Sequence, residues 1–81
     1  MVILMNDLPR EVSEEEVRRL VEHYHPVKAV EVLKERPRAV DWRVDLGDTD
    51  REVANFVIDH LHGLYWNGRH LYPYCPLYQS N

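Results

Sequence analysis

Apolar residues along the chain fall into two rhythms, one suited to strands and one to helices. Val2-Ile3-Leu4-Met5 is a short apolar run closed by Asn6-Asp7-Leu8-Pro9, which predicts a strand ending in a turn. A helix should follow. Ser13 and Glu16 stand at capping-box spacing, Val12 and Val17 form a hydrophobic staple, and Glu14, Glu15 and Glu16 suit the positive end of a helix dipole. Val17, Leu20, Val21 and Tyr24 then make one apolar stripe, and Pro26 ends it. Val27 to Leu33 is rich in β-branched residues and predicts a second strand. The charged run Lys34-Glu35-Arg36-Pro37-Arg38 reads as its connection to the next element.

The most regular stretch comes next. Val40, Trp42, Val44 and Leu46 alternate with Asp41, Arg43 and Asp45, a period of two that buries one face and wets the other. Trp42 is therefore expected in the core, and Asp41 and Arg43 on the open face. A second helix should begin near Thr49 or Asp50, where Thr49 and Glu52 repeat the capping-box spacing. Ala54, Val57, Ile58, Leu61 and Leu64 supply its apolar stripe, and Gly63 is a suitable terminator. Leu71 to Tyr78 has strand composition, with Pro73 and Pro76 restricting it to a short edge strand. The order β-α-β-β-α-β predicts an α+β fold, a ferredoxin-like sandwich with a four-stranded antiparallel sheet and two helices on one face.

A chain of 81 residues suffices for one such domain, spanning 1–81, and its 44% apolar and 30% charged residues have a globular balance. The net charge of −4 opposes avid, unspecific binding to a phosphate backbone. No apolar run approaches the roughly 20 residues of a membrane helix, so no membrane partner is expected. The first residues lack the basic region and cleavage site of a secretory signal. A single cysteine, Cys75, excludes an internal disulfide and fits a reducing, intracellular setting, expected to be cytoplasmic in preference to nuclear. The domain is expected to be monomeric.

Catalytic chemistry finds no purchase. Capping and the dipole account for the three glutamates, no Ser-His-Asp or Cys-His arrangement can be built, and no glycine loop could cradle a phosphate. His23 and His25, like His60 and His62, stand two apart and so do not share a helix face. Surface or interfacial histidines are the expectation, with no metal, no cofactor and no enzymatic activity. Tyr65 and Trp66 either close the end of the core or form a contact for a protein partner.

Ile3 to Leu8 resembles the first-strand hexamer of the RNA recognition motif, Ala39 to Leu46 its third-strand octamer, and Gly63 through Gly68-Arg69-x-Leu71 its pattern before the last strand. Within that family, Val2-Ile3-Leu4, Glu15-Glu16-Val17, Trp42 and Asp48-Thr49-Asp50 are similar to the RNA-recognition-like domain of La-related proteins. The resemblance implies single-stranded RNA laid across the sheet, its bases stacked on aromatics of the two central strands. Carried over residue by residue, the first-strand aromatic becomes Leu4 and the third-strand pair becomes Asp41 and Arg43. Of these only Arg43 keeps chemistry suited to RNA. Tyr72 and Tyr74, with Tyr78 extending the row, either stand on the open face or merely shield the sheet edge. Lys34, Arg36 and Arg38 either grip phosphates or form a solvated loop. The expected RNA site is thus Leu4, Arg43, Tyr72 and Tyr74, with Arg36 and Arg38 on phosphates. The expected activity is weak or context-dependent, and the alternative is a protein-interaction module of the same fold.

Overall fold

The computed structural model describes residues 1–77, in the order β1 (Val2–Leu8), α1 (Glu14–Glu22), β2 (Ala29–Arg36), β3 (Ala39–Asp45), α2 (Arg51–Leu61), β4 (Tyr65–Trp66) and β5 (Arg69–His70). The capping box of α1 is complete. Glu16 N–H donates to Ser13 Oγ at 3.1 Å, and Ser13 N–H donates to the Glu16 carboxylate at 3.1 Å. In α2 the cap sits one residue later than the Thr49–Glu52 spacing suggests. Asp50 has the extended backbone of a cap (φ −108, ψ 175), and its carboxylate accepts from Val53 N–H at 3.0 Å. A carboxylate at that position also meets the positive end of the dipole, which a threonine cannot do.

The sheet runs β1-β3-β2 with both pairs antiparallel. Alternation along β3 does what its period predicts. Val40, Trp42 and Val44 join Ile3, Met5 and Val30 in one buried cluster with Val17, Leu20 and Val21 of α1 and Ala54, Val57 and Leu61 of α2. Trp42 is only 5% exposed. Its indole N–H has no hydrogen-bond partner among the described residues, so Trp42 fills volume and does not anchor a network. Both helices therefore cover one face of the sheet and leave the other open.

Two expectations need correction. The run Lys34–Arg36 is strand, not connection: Lys34 lies opposite Asp41 and Arg36 opposite Ala39, so only Pro37 and Arg38 make the turn. Among the described residues the main sheet also has three strands, not four. A fourth position beside β1 is reduced to one bridge, in which Leu4 N–H donates to Tyr74 O at 2.8 Å and Tyr74 N–H donates to Leu4 O at 3.0 Å. In an antiparallel ladder the next such pairs would be Val2 with Pro76 and Asn6 with Tyr72. Pro76 has no N–H to return to Val2. On the other side, β1 bulges between Met5 and Leu8 and carries Asn6 and Asp7 out of register. Pro73 points its nitrogen away from β1 and is harmless there. Tyr78 lies outside the described residues.

Beyond α2, Gly63 takes φ 76 and the chain enters a hairpin, where Asn67 (φ 48) and Gly68 (φ 84) form the two-residue turn between β4 and β5. Both central residues lie in the left-handed region, as a type I′ turn demands. Trp66 packs against the core and closes its end, while Tyr65 is 66% exposed and takes no part in that closure. Leu64, beyond the end of α2, is exposed and adds nothing to the stripe.

Trp42→Ala should lower the unfolding free energy by about 3–5 kcal/mol, as for other large core truncations. Trp42→Phe drops the unpaired N–H and should cost less than about 1.5 kcal/mol. Urea denaturation of both variants checks this. Losses below about 0.5 kcal/mol in both variants would place the indole outside the core.

Candidate nucleic-acid interface

Cross-strand register sets the open face in rows. One row runs Tyr74, Leu4, Arg43, Glu31, since Leu4 lies opposite both Tyr74 and Arg43, and Arg43 lies opposite Glu31. It offers a ring, an apolar floor, a guanidinium and an acid in order. Arg43 Nη1 donates to Glu31 Oε1 at 2.8 Å, which draws the guanidinium toward the outer strand β2 and away from Tyr74. Both partners keep much of their solvent contact, so the pair is open to competition from another anion.

Asp41 occupies the next row, where a ring would be expected. Its carboxylate is almost covered, at 13% side-chain exposure, and it accepts from Asp7 N–H at 2.9 Å and from Arg36 Nη2. Arg36 Nη2 also reaches the Asp7 carboxylate at 2.7 Å. The pairing explains why. Asp41 is the one residue of β3 opposite the Asn6–Asp7 bulge of β1, and β2 bulges at Leu33 beside it. A bulged residue loses its partner carbonyl across the ladder, and the Asp41 side chain replaces that acceptor. Asp7 itself sits at φ 62, a region that non-glycine residues enter rarely and that Asp and Asn tolerate best. Desolvation works to lower the Arg36 pKa, but the attraction of Asp41 and then Asp7 outweighs it and raises the value. Arg36 is thus held charged and committed to two acids.

The end of the sheet beyond that cluster is basic in a way the sequence hides. Arg69 donates to Asp7 O at 3.0 Å and to Arg38 O at 3.1 Å, and Arg10 donates to Arg36 O at 2.6 Å. Carbonyls fix these guanidinium groups without neutralising them, and the exposed Arg38 side chain stands beside them in the turn. Positions 10, 38 and 69 are remote along the chain, so only the fold gathers them. Arg69 was not singled out as a site residue from the sequence, although the Asn67-Gly68 turn before it is a clear local signal of a hairpin that turns back on the sheet.

Arg69 also lines a shallow groove with Asn6, Asp7, His70, Tyr72 and Tyr74. Tyr72 is 62% exposed and Tyr74 46%, so both rings are open to solvent. His62 braces Tyr72 in an edge-on contact with centroids 5.3 Å apart. Of the residues expected to form the site, Leu4, Arg43 and Tyr74 share one row, Tyr72 adjoins it in the groove, Arg38 borders the basic end, and Arg36 is tied to Asp7 and Asp41.

A β1-β3-β2 sheet, extended by the Tyr74 bridge and covered by two helices, is the fold this chain shares with solved RNA recognition motif domains. No protein-family model matches the chain, and no curated protein matches it. Solved structures do. The crystal structure of RNA binding protein PG1 is 25% identical, covers 100% of this chain and 99% of its own, and superposes with a TM-score of 0.79. The third RNA recognition motif of Pes4 has a TM-score of 0.82 at 12% identity, covering 99% of this chain and 95% of its own. The Rna15 domain solved with bound RNA (GU) has a TM-score of 0.73 at 19% identity, covering 99% and 83%.

Asp41→Ala removes the acceptor for Asp7 N–H, a donor that water can still reach, and should lower stability by about 0.5–1.5 kcal/mol, the net value of one hydrogen bond. Amide exchange at Asp7 should quicken in the same variant, while Asp41→Asn, which keeps an acceptor oxygen, should fall between it and the parent. Unchanged exchange at Asp7 would remove Asp41 from the role of bulge partner.

Proposed function

We propose that this domain binds single-stranded RNA, without catalysing a reaction, along one edge of its open face and not across the two central strands. The observation that carries this reading is the convergence of Tyr72, Tyr74 and Arg69 on one groove. Stacked bases contribute roughly 1–3 kcal/mol each and tolerate any sequence. Guanidinium groups fixed by neutral carbonyls retain charge for phosphates. Leu4 extends the floor under the Tyr74 ring, and Arg38 and Arg10 carry the backbone past the end of the sheet. Arg43 joins when a phosphate replaces Glu31. Arg36 contributes by holding Asp7 and Asp41, since a phosphate would have to displace both acids to reach it.

Binding is weak by this account because β1 and β3 present no ring. The acids Glu31, Asp41 and Asp45 on the same face further disfavour a backbone crossing the centre. An origin in a La-related protein belongs to the same proposal, and a La motif directly upstream in the parent chain is what it requires. A second reading, a protein partner on the helical side, is favoured by one specific observation. Phe56 is 50% exposed on α2 and its ring meets that of His60 in a tilted contact at 4.4 Å, and His60 in turn meets Tyr24 at 4.9 Å.

Titration with oligo(U) and oligo(A), followed by NMR, separates the two. Amide shifts should gather at Leu4, Arg43, Arg69, Tyr72 and Tyr74 and fade as salt rises. Tyr74→Ala should weaken binding about tenfold, the value of one lost stack. Arg43→Glu should weaken it further by adding an acid to the row. Glu31→Gln should strengthen it by freeing Arg43. A silent sheet face, with shifts at Phe56 and Tyr24 on adding a peptide, would overturn the RNA reading in favour of the second.

A further inference from the structure

We infer that the groove between the Asn67-Gly68 hairpin and the bulge of β1 is a base-reading subsite that selects guanine. The inference rests on the RNA reading above and adds base identity to it. The groove combines three kinds of group seldom found together on so small a surface: two open tyrosine rings, an arginine without a carboxylate partner among the described residues, and an exposed carboxylate.

That carboxylate is the informative part. Asp7 is 64% exposed at its side chain although Arg36 holds its Oδ1, and the left-handed backbone at φ 62 keeps it on the bulge. Strained backbone of this kind persists where the surroundings over-determine it, and it is concentrated at functional sites. Here Asp41, through Asp7 N–H, and Arg69, through Asp7 O, supply that determination from two sides. The backbone is thereby held in place, and Arg36 holds the carboxylate at Oδ1 on the edge of the groove. Its neighbour Asn6 is exposed in the same lining and brings an amide.

Placed beside a stacking platform, this pair has a definite hydrogen-bond pattern. The Asp7 carboxylate only accepts, while the Asn6 amide can donate. Guanine presents two adjacent donors, N1–H and the N2 amine, next to the O6 acceptor, and so complements an acceptor-acceptor-donor edge. Adenine sets its N1 lone pair against the carboxylate. Uracil offers a single donor flanked by two acceptors, and cytosine one amine beside two acceptors. An acid near RNA normally costs affinity, and this one is offset locally by Arg36, paired with its carboxylate, and by Arg69 on its carbonyl.

The test uses the intact chain and a uridine hexanucleotide carrying one central G, A, C or inosine, each titrated by fluorescence anisotropy at fixed salt. The G oligonucleotide should bind about tenfold tighter than the A, C or all-U forms, as a bidentate base contact gives. Inosine, which lacks the N2 amine, should fall between them. Asp7→Asn suits the same left-handed backbone and keeps an oxygen for Arg36, so it tests the carboxylate without removing the bulge. In it the preference for G over A should collapse toward unity. Equal binding of all the oligonucleotides, or a preference for G that survives Asp7→Asn, overturns the subsite while leaving RNA binding intact. Failure of every oligonucleotide to bind overturns both.

Discussion

The Asp41 carboxylate is the constraint on which the open face depends. It lies in the central strand between two bulges, and it replaces the backbone acceptor that the bulge of β1 leaves missing for Asp7. A ring at that position could stack on a base, but it could not accept from Asp7 N–H or hold Arg36. The geometry of the bulge and a stacking surface at the centre of the sheet are therefore alternatives, and this chain has taken the first. Acidic character at the centre of the open face follows from a structural requirement at one residue.

Much of the remaining layout follows from that choice. The bulge carries Asn6 and Asp7 out of register with the C-terminal segment, which ends the ladder after the Leu4–Tyr74 bridge and leaves Tyr72 in an open groove. It also brings the Asp7 carbonyl to Arg69, so the hairpin that follows α2 is fastened to the end of the sheet. Aromatic surface and unneutralised positive charge are thereby moved together to one edge. Arg43, left in the centre, is drawn the other way by Glu31. A net acidic domain thus acquires a local region with the two ingredients that single-stranded nucleic acid requires, stacking and cationic groups.

Individual elements differed in how legible they were. The capping box at Ser13 and Glu16 and the alternation around Trp42 act over a few residues, and both appear as the sequence predicts. The cap of α2 moved by one position because Thr49 and Asp50 are both competent caps, and local spacing cannot rank them. Reading Lys34–Arg36 as a loop failed for a different reason. Charged residues favour loops, but on an open sheet face they are equally at home in a strand, where Lys34 stands opposite Asp41. The fourth strand was curtailed by Pro76 and by a bulge in another strand, and only the first of those causes is visible in the segment itself.

The sequence by itself determined the hydrophobic alternation, the two capped helices and their order, because those depend on neighbours within about one or two turns of chain. From these the α+β class and the inward position of Trp42 follow. Only the tertiary structure decided which charges are spent on one another and which remain free. Arg36, Arg43 and Arg69 are alike in sequence, yet among the described residues one is bound to two acids, one to a single exposed acid, and one to carbonyls alone. That difference arises from strand register and bulges, which bring residues tens of positions apart to within hydrogen-bond distance, and no local pattern encodes it.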